Sequence, residues 1–224
     1  MKKRSGAVIT VRLVLILSLA LLLYSAVQIF RAPAEARDAL EAWEKKREEA
    51  LGAPVPAELG EEETPLTAEM VSLSAESQAS SPSYAEGDVI GEIYFPKLDT
   101  RSAILEGTER PQLKKGAGHY KGSAAVGAAG NSVLAGHRDT VFRGLGRLEP
   151  HDLIEVETAD GRFIYEVTGS VIVDGDERGA IKASNEAVLT LITCYPFTYV
   201  GSAPDRYLLS AVLLRQEPLI LQQH

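Results

Sequence analysis

The only cysteine of the chain, Cys194, follows the strand-like run 188–193 and precedes Tyr195 and Pro196. Because proline cannot continue the ladder of a central strand, we expect Cys194 to lie where a strand opens into a loop. A thiolate at such a position is a candidate nucleophile if an imidazole nearby supplies or takes a proton. A free cysteine is more often a small buried hydrophobe, so this assignment depends on its partners.

His137 is the imidazole that we expect to serve the cysteine. It follows the apolar run Ser132–Ala135 and a glycine, so it also lies where a strand ends. His119, in a glycine-rich loop, and His151, in a turn, are rivals by composition that we expect to be structural or solvated. The histidine spacing does not match a metal site, so neither a metal nor another cofactor is predicted.

Arg206 is placed by hairpin geometry. The strand ending near Cys194 and the strand starting near Tyr207 are joined by the eleven residues 195–205. If these strands pair antiparallel, the end of one faces the start of the next, with opposed Cβ atoms about 4.5–5.5 Å apart. Arg206 then reaches the thiolate or an oxygen beside it, and a guanidinium can stabilise an oxyanion.

Short apolar runs separated by glycine, proline, aspartate and asparagine indicate the elements that position these residues. Such spacing is typical of an antiparallel β sandwich or barrel. Asp160-Gly161 predicts a two-residue hairpin, and short helices are predicted at 110–115 and 139–145. The eight runs are 90–95, 103–105, 132–135, 153–156, 163–167, 171–173, 188–193 and 207–214.

The N-terminal part of the chain divides into two segments of different composition. Residues 1–30 begin with basic side chains and continue with an uncharged run of 18 residues, Leu13 to Phe30. We predict a retained membrane anchor with a cytoplasmic N-terminus rather than a cleaved signal peptide, whose apolar region is shorter. Residues 31–87, with thirteen acidic and five basic side chains, predict a stalk helix at 34–51 followed by an extended acidic spacer.

Residues 88–224 form the predicted folded domain. The hydrophobic fraction of 45% is sufficient for a core, and a single cysteine excludes an intramolecular disulfide. The net charge of −8 argues against a nucleic-acid partner, and Lys114-Lys115 is too short to form a nucleic-acid-binding patch.

Three motifs together resemble those of sortases, the cysteine transpeptidases of Gram-positive cell surfaces. The segment Thr190-Leu-Ile-Thr-Cys194 is similar to the family signature Thr-Leu-x-Thr-Cys, and the segments around His137 and Arg206 resemble its histidine and arginine motifs in the same order. Gly118-His-Tyr120 and Cys194-Tyr-Pro-Phe197 are most like the class D branch. The resemblance covers about residues 88–214.

The resemblance implies an all-β, eight-stranded barrel in which Cys194 is the nucleophile, His137 transfers protons and Arg206 holds the oxyanion. Its substrates would be surface proteins with a C-terminal Leu-Pro-x-Thr-Gly or Leu-Pro-x-Thr-Ala sorting signal, cleaved after threonine through a thioester. The acceptor would be an amino group of a lipid II-like peptidoglycan precursor. An apolar floor for the signal is expected beside the loop 174–186, at Val133, Ile181, Ile192, Pro196 and Phe197. Thr193 is a further candidate for substrate binding.

Two other functions remain open from the sequence. A thiol hydrolase would use the same three residues with water as the acceptor. A membrane-tethered adhesion or scaffold domain would need no catalytic residues, and the complete set of cysteine, histidine and arginine counts against it.

Overall fold

A computed structural model describes residues 3–52, 84–177, 179–198, 201 and 203–219. Most of the predicted acidic spacer, 53–83, lies outside these residues. The elements in chain order are α1 (Lys3–Gly52), β1 (Val89–Phe95), β2 (Thr100–Glu106), α2 (Arg110–Lys115), β3 (Ala117–His119), β4 (Gly130–Ala135), β5 (Leu153–Thr158), β6 (Gly161–Asp174), β7 (Ala187–Tyr195) and β8 (Asp205–Glu217), with 3₁₀ turns at Pro96–Leu98 and Leu145–Arg147.

The eight strands close into a barrel in the order β1-β2-β3-β4-β7-β8-β6-β5, which confirms the predicted all-β, eight-stranded barrel. Two neighbouring pairs, β2 with β3 and β4 with β7, are parallel, and the remaining pairs are antiparallel. Apolar side chains from all eight strands fill the interior of the barrel. Strand β3 contributes Ala117. Tyr165 is also buried there, which raises the pKa of its hydroxyl to about 12.

The strands differ from the predicted set in two places. The runs 163–167 and 171–173 belong to one continuous strand, β6. Strand β3 lies where the sequence predicts a glycine-rich loop. A Cβ on Gly118, in the middle of β3, would lie 2.4 Å from the carbonyl oxygen of Gly107. The glycines that weaken the strand signal in the sequence therefore permit the close backbone approach on which β3 depends.

The structure contains one of the two predicted short helices. Helix α2, Arg110–Lys115, is present as predicted. The predicted helix at 139–145 is wrong, because the chain there forms consecutive turns that end in the 3₁₀ turn Leu145–Arg147. The carbonyl of His137 accepts hydrogen bonds from the amides of Thr140 and Phe142. These turns place the Phe142 ring in the core, against Phe95.

The predicted stalk helix is the last part of α1, and it packs on the barrel instead of standing free. Trp43 is 1% exposed, and Ala39 lies with Ala103 and Leu105 in one apolar cluster. A hydrogen bond and an ion pair also join this docked segment to the barrel surface. Lys46 Nζ donates to the Val89 carbonyl at 3.1 Å, and Arg47 Nη1 lies 3.1 Å from Glu157 Oε2. The helix and the barrel therefore share a buried interface.

The predicted membrane anchor falls in the first part of α1. In the described part of the chain, no helix combines the length and the apolar character needed to cross a membrane.

Candidate active site

Cys194 and Arg206 are paired residues on the neighbouring strands β7 and β8. Strands β7 and β8 pair antiparallel, and their register places Cys194 opposite Arg206 and Tyr195 opposite Asp205. Cys194 is partly exposed at the end of β7. The guanidinium-bearing residue and the thiol-bearing residue thus meet at one end of the barrel, as hairpin geometry predicts.

His137 emerges at the same end of the barrel from the other neighbour of β7. Strand β4 runs parallel to β7 with Ala135 beside Ile192. The Gly136 amide donates to the Ile192 carbonyl at 3.1 Å, and Thr193 Oγ1 donates to the Gly136 carbonyl at 2.7 Å. These two bonds continue the β4–β7 contact to the residue before His137. The cysteine strand is therefore flanked by the histidine on one side and the arginine on the other.

The glycine before His137 is required by packing. A Cβ on Gly136 would lie 2.6 Å from the ring of Phe142, which is buried in the core. Because a side chain at this position would displace either the ring or the turn, the close packing fixes the path of the chain as it reaches His137.

The Arg206 side chain is held by its own loop. Its Nη1 donates to the carbonyls of Ala203 at 3.2 Å and Asp205 at 3.0 Å. A Cβ on Gly175, at the start of the β6–β7 loop, would lie 3.1 Å from the same nitrogen. A guanidinium has five N–H donors, so these two bonds leave donors for a substrate oxygen.

Arg138, the residue after His137, was not among the predicted site residues. Its Nη1 donates to the Pro196 carbonyl at 3.1 Å, and its Nη2 donates to the Gly201 carbonyl at 2.9 Å. One side chain therefore links the histidine turn to the loop that follows Cys194. The sequence signal was only adjacency to His137, since nothing in the pattern shows that the two loops meet.

Two of the predicted groove residues, Val133 and Ile181, line a cleft of about 280 Å³ between β4 and the β6–β7 loop. Ile181 also lines a second cavity of about 160 Å³ with Ile192 and Arg206. These three apolar side chains thus extend from the cleft toward the guanidinium, which is consistent with an apolar floor.

The β6–β7 loop is attached to the barrel through Asn131. Asn131 Nδ2 donates to the Lys182 carbonyl at 2.8 Å, and Thr190 Oγ1 donates to Asn131 Oδ1 at 2.8 Å. The Gly130 amide also donates to the Glu186 carbonyl at 3.1 Å. The loop therefore has a defined position as one wall of the cleft.

The remaining predicted groove residues lie elsewhere around the cysteine. Thr193 is buried, with its hydroxyl bound to the Gly136 carbonyl, so it supports the site from below. Pro196 follows a cis peptide bond, and its carbonyl accepts from Arg138. The Phe197 ring packs against Tyr195 and Tyr207, with centroids 5.7 and 5.1 Å away.

The rival histidines have other partners. His119 is buried, and its Nδ1 lies 2.8 Å from Glu106 Oε2. His151 is exposed on the surface, and its Nδ1 lies 2.8 Å from Glu166 Oε1. Over the residues that the structure describes, no three histidine, cysteine, aspartate or glutamate side chains are grouped so as to hold a metal ion.

Comparison with known proteins agrees with this geometry. A family model described as the Sortase domain matches residues 93–214. The chain is 44% identical over 124 residues to Sortase D of Bacillus subtilis, covering 55% of this chain and 63% of that protein. It is 33% identical over 142 residues to Sortase SrtE1 of Streptomyces coelicolor, covering 54% of this chain and 40% of that protein. The chain thus spans less than two thirds of the length of these relatives.

Solved structures show the same fold. The catalytic domain of Bacillus anthracis SrtD is 36% identical, with a TM-score of 0.52, and the match covers 64% of this chain and 99% of that one. A Sortase D5 transpeptidase of Clostridium perfringens has a TM-score of 0.58 at 22% identity, covering 81% of this chain and 99% of that one. At that identity the second likeness supports the barrel alone.

Proposed function

Because the chain belongs to the sortase family, we propose that it is a cysteine transpeptidase that uses Cys194, His137 and Arg206. The observation that carries this proposal is the register of the barrel. The cysteine ends the middle one of three neighbouring strands, Arg206 is its direct partner in β8, and the chain leaves β4 toward His137 at the same end. A nucleophile, a proton carrier and an oxyanion ligand are the groups that acyl transfer requires.

In the first half of the reaction, the Cys194 thiol loses its proton to His137, and Sγ attacks the threonine carbonyl carbon of a sorting signal. The carbonyl oxygen carries the negative charge in the tetrahedral intermediate, and Arg206 donates hydrogen bonds to it. The carbon–nitrogen bond then breaks, and His137 gives its proton to the leaving amine. The product is a thioester between the substrate threonine and Cys194.

In the second half, an amine attacks the thioester carbon and the carbon–sulfur bond breaks. His137 takes the proton of the incoming amine, which restores the thiol and the imidazole through the same path in reverse. A thioester retains enough of the free energy of the peptide bond for an amine to compete with water. The proposed acceptor is an amino group of a lipid II-like peptidoglycan precursor.

The proposed substrates are surface proteins with a Leu-Pro-x-Thr-Gly or Leu-Pro-x-Thr-Ala signal. The cleft between Val133 and Ile181 and the neighbouring cavity at Ile192 supply apolar surface for the leucine and the proline of the signal. The proposal includes membrane attachment through the uncharged run 13–30, with the basic residues before it in the cytoplasm and the barrel outside the membrane.

The test is incubation of the detergent-solubilised chain with a panel of sorting-signal peptides, with and without a soluble amine. We expect mass spectrometry to show cleavage after threonine and, only when the amine is present, a ligated product. Absence of cleavage across the panel would refute the proposal. Cleavage that yields the free acid at every amine concentration would instead support a thiol hydrolase.

Replacing Arg138 tests the link between the histidine turn and the cysteine loop. We expect Arg138→Ala to lower kcat/KM for the peptide by roughly 10- to 100-fold, because two hydrogen bonds from a charged group are lost at about 1.5–3 kcal/mol each and part of that loss reaches the site. Arg138→Lys should recover part of the activity, since an ammonium can keep one of the two bonds. Arg143→Ala, at an exposed position on the same turn, is the matched control. Equal activity of Arg138→Ala and Arg143→Ala would contradict this role.

A further inference from the structure

The loop between β3 and β4, residues 120–129, separates two cavities. The cleft that contains Val133 and Ile181 lies on one side, and a larger cavity of about 470 Å³ lies on the other. Residues 122–124 line both cavities, so this short turn is the wall between them. The position of this turn therefore sets the width of the cleft in which we place the sorting signal.

A buried side-chain network holds the turn from the side of the larger cavity. Nε2 of His119 lies 3.0 Å from the Ala124 carbonyl oxygen and 3.1 Å from Ser123 Oγ. On the opposite edge of the ring, Nδ1 lies 2.8 Å from Glu106 Oε2. Both His119 and Glu106 are buried, at 7% and 8% exposure. The His119 ring therefore bridges the carboxyl group of Glu106, at the end of β2, and the 122–124 turn.

The partners of Ser123 decide which way the hydrogen bonds run. Ser123 Oγ donates its hydrogen to the Tyr120 carbonyl at 2.8 Å and accepts the Val133 amide at 3.1 Å. A carbonyl oxygen such as that of Ala124 can only accept, so Nε2 of His119 must carry a hydrogen. The serine hydrogen is then not directed at the imidazole, and the Ser-His-Glu set has the wrong polarity for a catalytic triad.

We propose that His119, supported by Glu106, is a positioning residue that fixes the 122–124 wall of the substrate cleft without touching the reacting atoms. This inference rests on the proposed function, because it assigns the cleft to the sorting signal. Without the imidazole, the Ala124 carbonyl oxygen and Ser123 Oγ lose their contacts with Nε2 of His119. Ser123 Oγ also accepts a hydrogen bond from the Val133 amide, which lies in the floor of the cleft. The wall and the floor would lose their common support.

The kinetic test compares His119 with a surface histidine of the same chemistry in the full chain. We expect His119→Ala to raise KM for the sorting-signal peptide about tenfold, the effect of losing one to two hydrogen bonds, with kcat within about twofold and KM for the amine unchanged. His119→Gln should recover most of the loss, since its amide N–H can donate to the Ala124 carbonyl. His151→Ala, which removes an exposed imidazole beside Glu166, should match the unmodified chain. An unchanged peptide KM in His119→Ala, or a loss confined to kcat, overturns the proposal.

Two measurements test the inference even if the peptide is not a substrate. Nitrogen-15 spectra of the imidazole rings should show Nε2 of His119 protonated at neutral pH, and a bare Nε2 overturns the proposal. Amide hydrogen exchange should be faster at Ser123 and Ala124 in His119→Ala and Glu106→Gln than in His119→Gln and His151→Ala, with unchanged exchange again counting against it. If the unmodified chain fails to cleave any peptide while both results hold, the proposed function fails and the structural part of the inference stands.

Discussion

Cys194→Ala is expected to abolish covalent capture of a sorting-signal peptide and to lower turnover by at least about a thousandfold. Every step of the proposed reaction passes through the Cys194 sulfur, and the chain has no second cysteine that could replace it. Removing a nucleophile typically leaves only the contribution of binding and of oxyanion stabilisation. Intact-mass spectrometry of the unmodified chain mixed with peptide should show the acyl-enzyme, and the variant should show none.

Arg206 provides the comparison that separates chemistry from binding. Arg206→Ala should reduce kcat by roughly a hundred- to a thousandfold, the range measured when one oxyanion donor is removed. Cys194→Ala should retain peptide affinity, because the cleft at Val133 and Ile181 is unchanged. Turnover by Cys194→Ala equal to that of the unmodified chain would eliminate the transpeptidase proposal together with the thiol hydrolase.

Trp43→Ala is expected to be among the most destabilising substitutions in the chain. The side chain is 1% exposed between helix α1 and the barrel, and removing a buried tryptophan costs about 3–5 kcal/mol. Undocking of the helix limits this cost, because the barrel can then remain folded with a newly exposed apolar patch at Ala103 and Leu105. We therefore expect a lower unfolding midpoint and earlier loss of helix signal in circular dichroism.

The same residue reports on the docked state, since it is the only tryptophan in the chain. Its fluorescence in the unmodified protein should be that of an indole shielded from water and should shift to the red as the helix undocks. Within the described residues its Nε1 is buried without a hydrogen-bond partner. Trp43→Phe should thus cost much less than Trp43→Ala, because it keeps an aromatic ring and removes the unpaired donor. Glu44→Ala, at the exposed neighbouring position, is the control, and equal midpoints for all three variants would contradict the docking.

The local pattern of the sequence predicted the cysteine hairpin because the relevant contacts are between neighbours in the chain. Alternating runs, a proline after Cys194 and an arginine at the start of the next run are enough to place Cys194 and Arg206 opposite each other. The position of His137 beside them depends on the parallel pairing of β4 with β7, whose residues are more than fifty positions apart. Hydrophobic periodicity carries no information on such pairing, so the sequence predicts that His137 lies at a strand end but does not show that this strand is beside the cysteine strand.

Several of the features that the sequence did not predict are contacts between distant segments. The spacing of Leu40, Trp43 and Arg47 predicts a helix with one apolar face, but it does not show that this face packs on β2. Strand β3 is not evident from the sequence because its glycine, Gly118, lowers strand propensity while permitting close backbone approach. Arg138 and the His119–Glu106 pair are polar groups whose partners are set by the barrel topology.

The docked helix determines how far the barrel lies from the first part of α1. Helix α1 ends at Gly52, and the described chain resumes at Tyr84, whose ring lies 5.6 Å from Lys46 Nζ on the same helix. Because the docked part of α1 contacts the barrel directly, lengthening the 31 residues between Gly52 and Tyr84 would not move the barrel away from the first part of α1. From Phe30 to Ala39 the helix advances only about 14 Å. Each residue inserted at 31–38 would therefore turn the barrel by about 100° around the helix axis relative to the first part of α1.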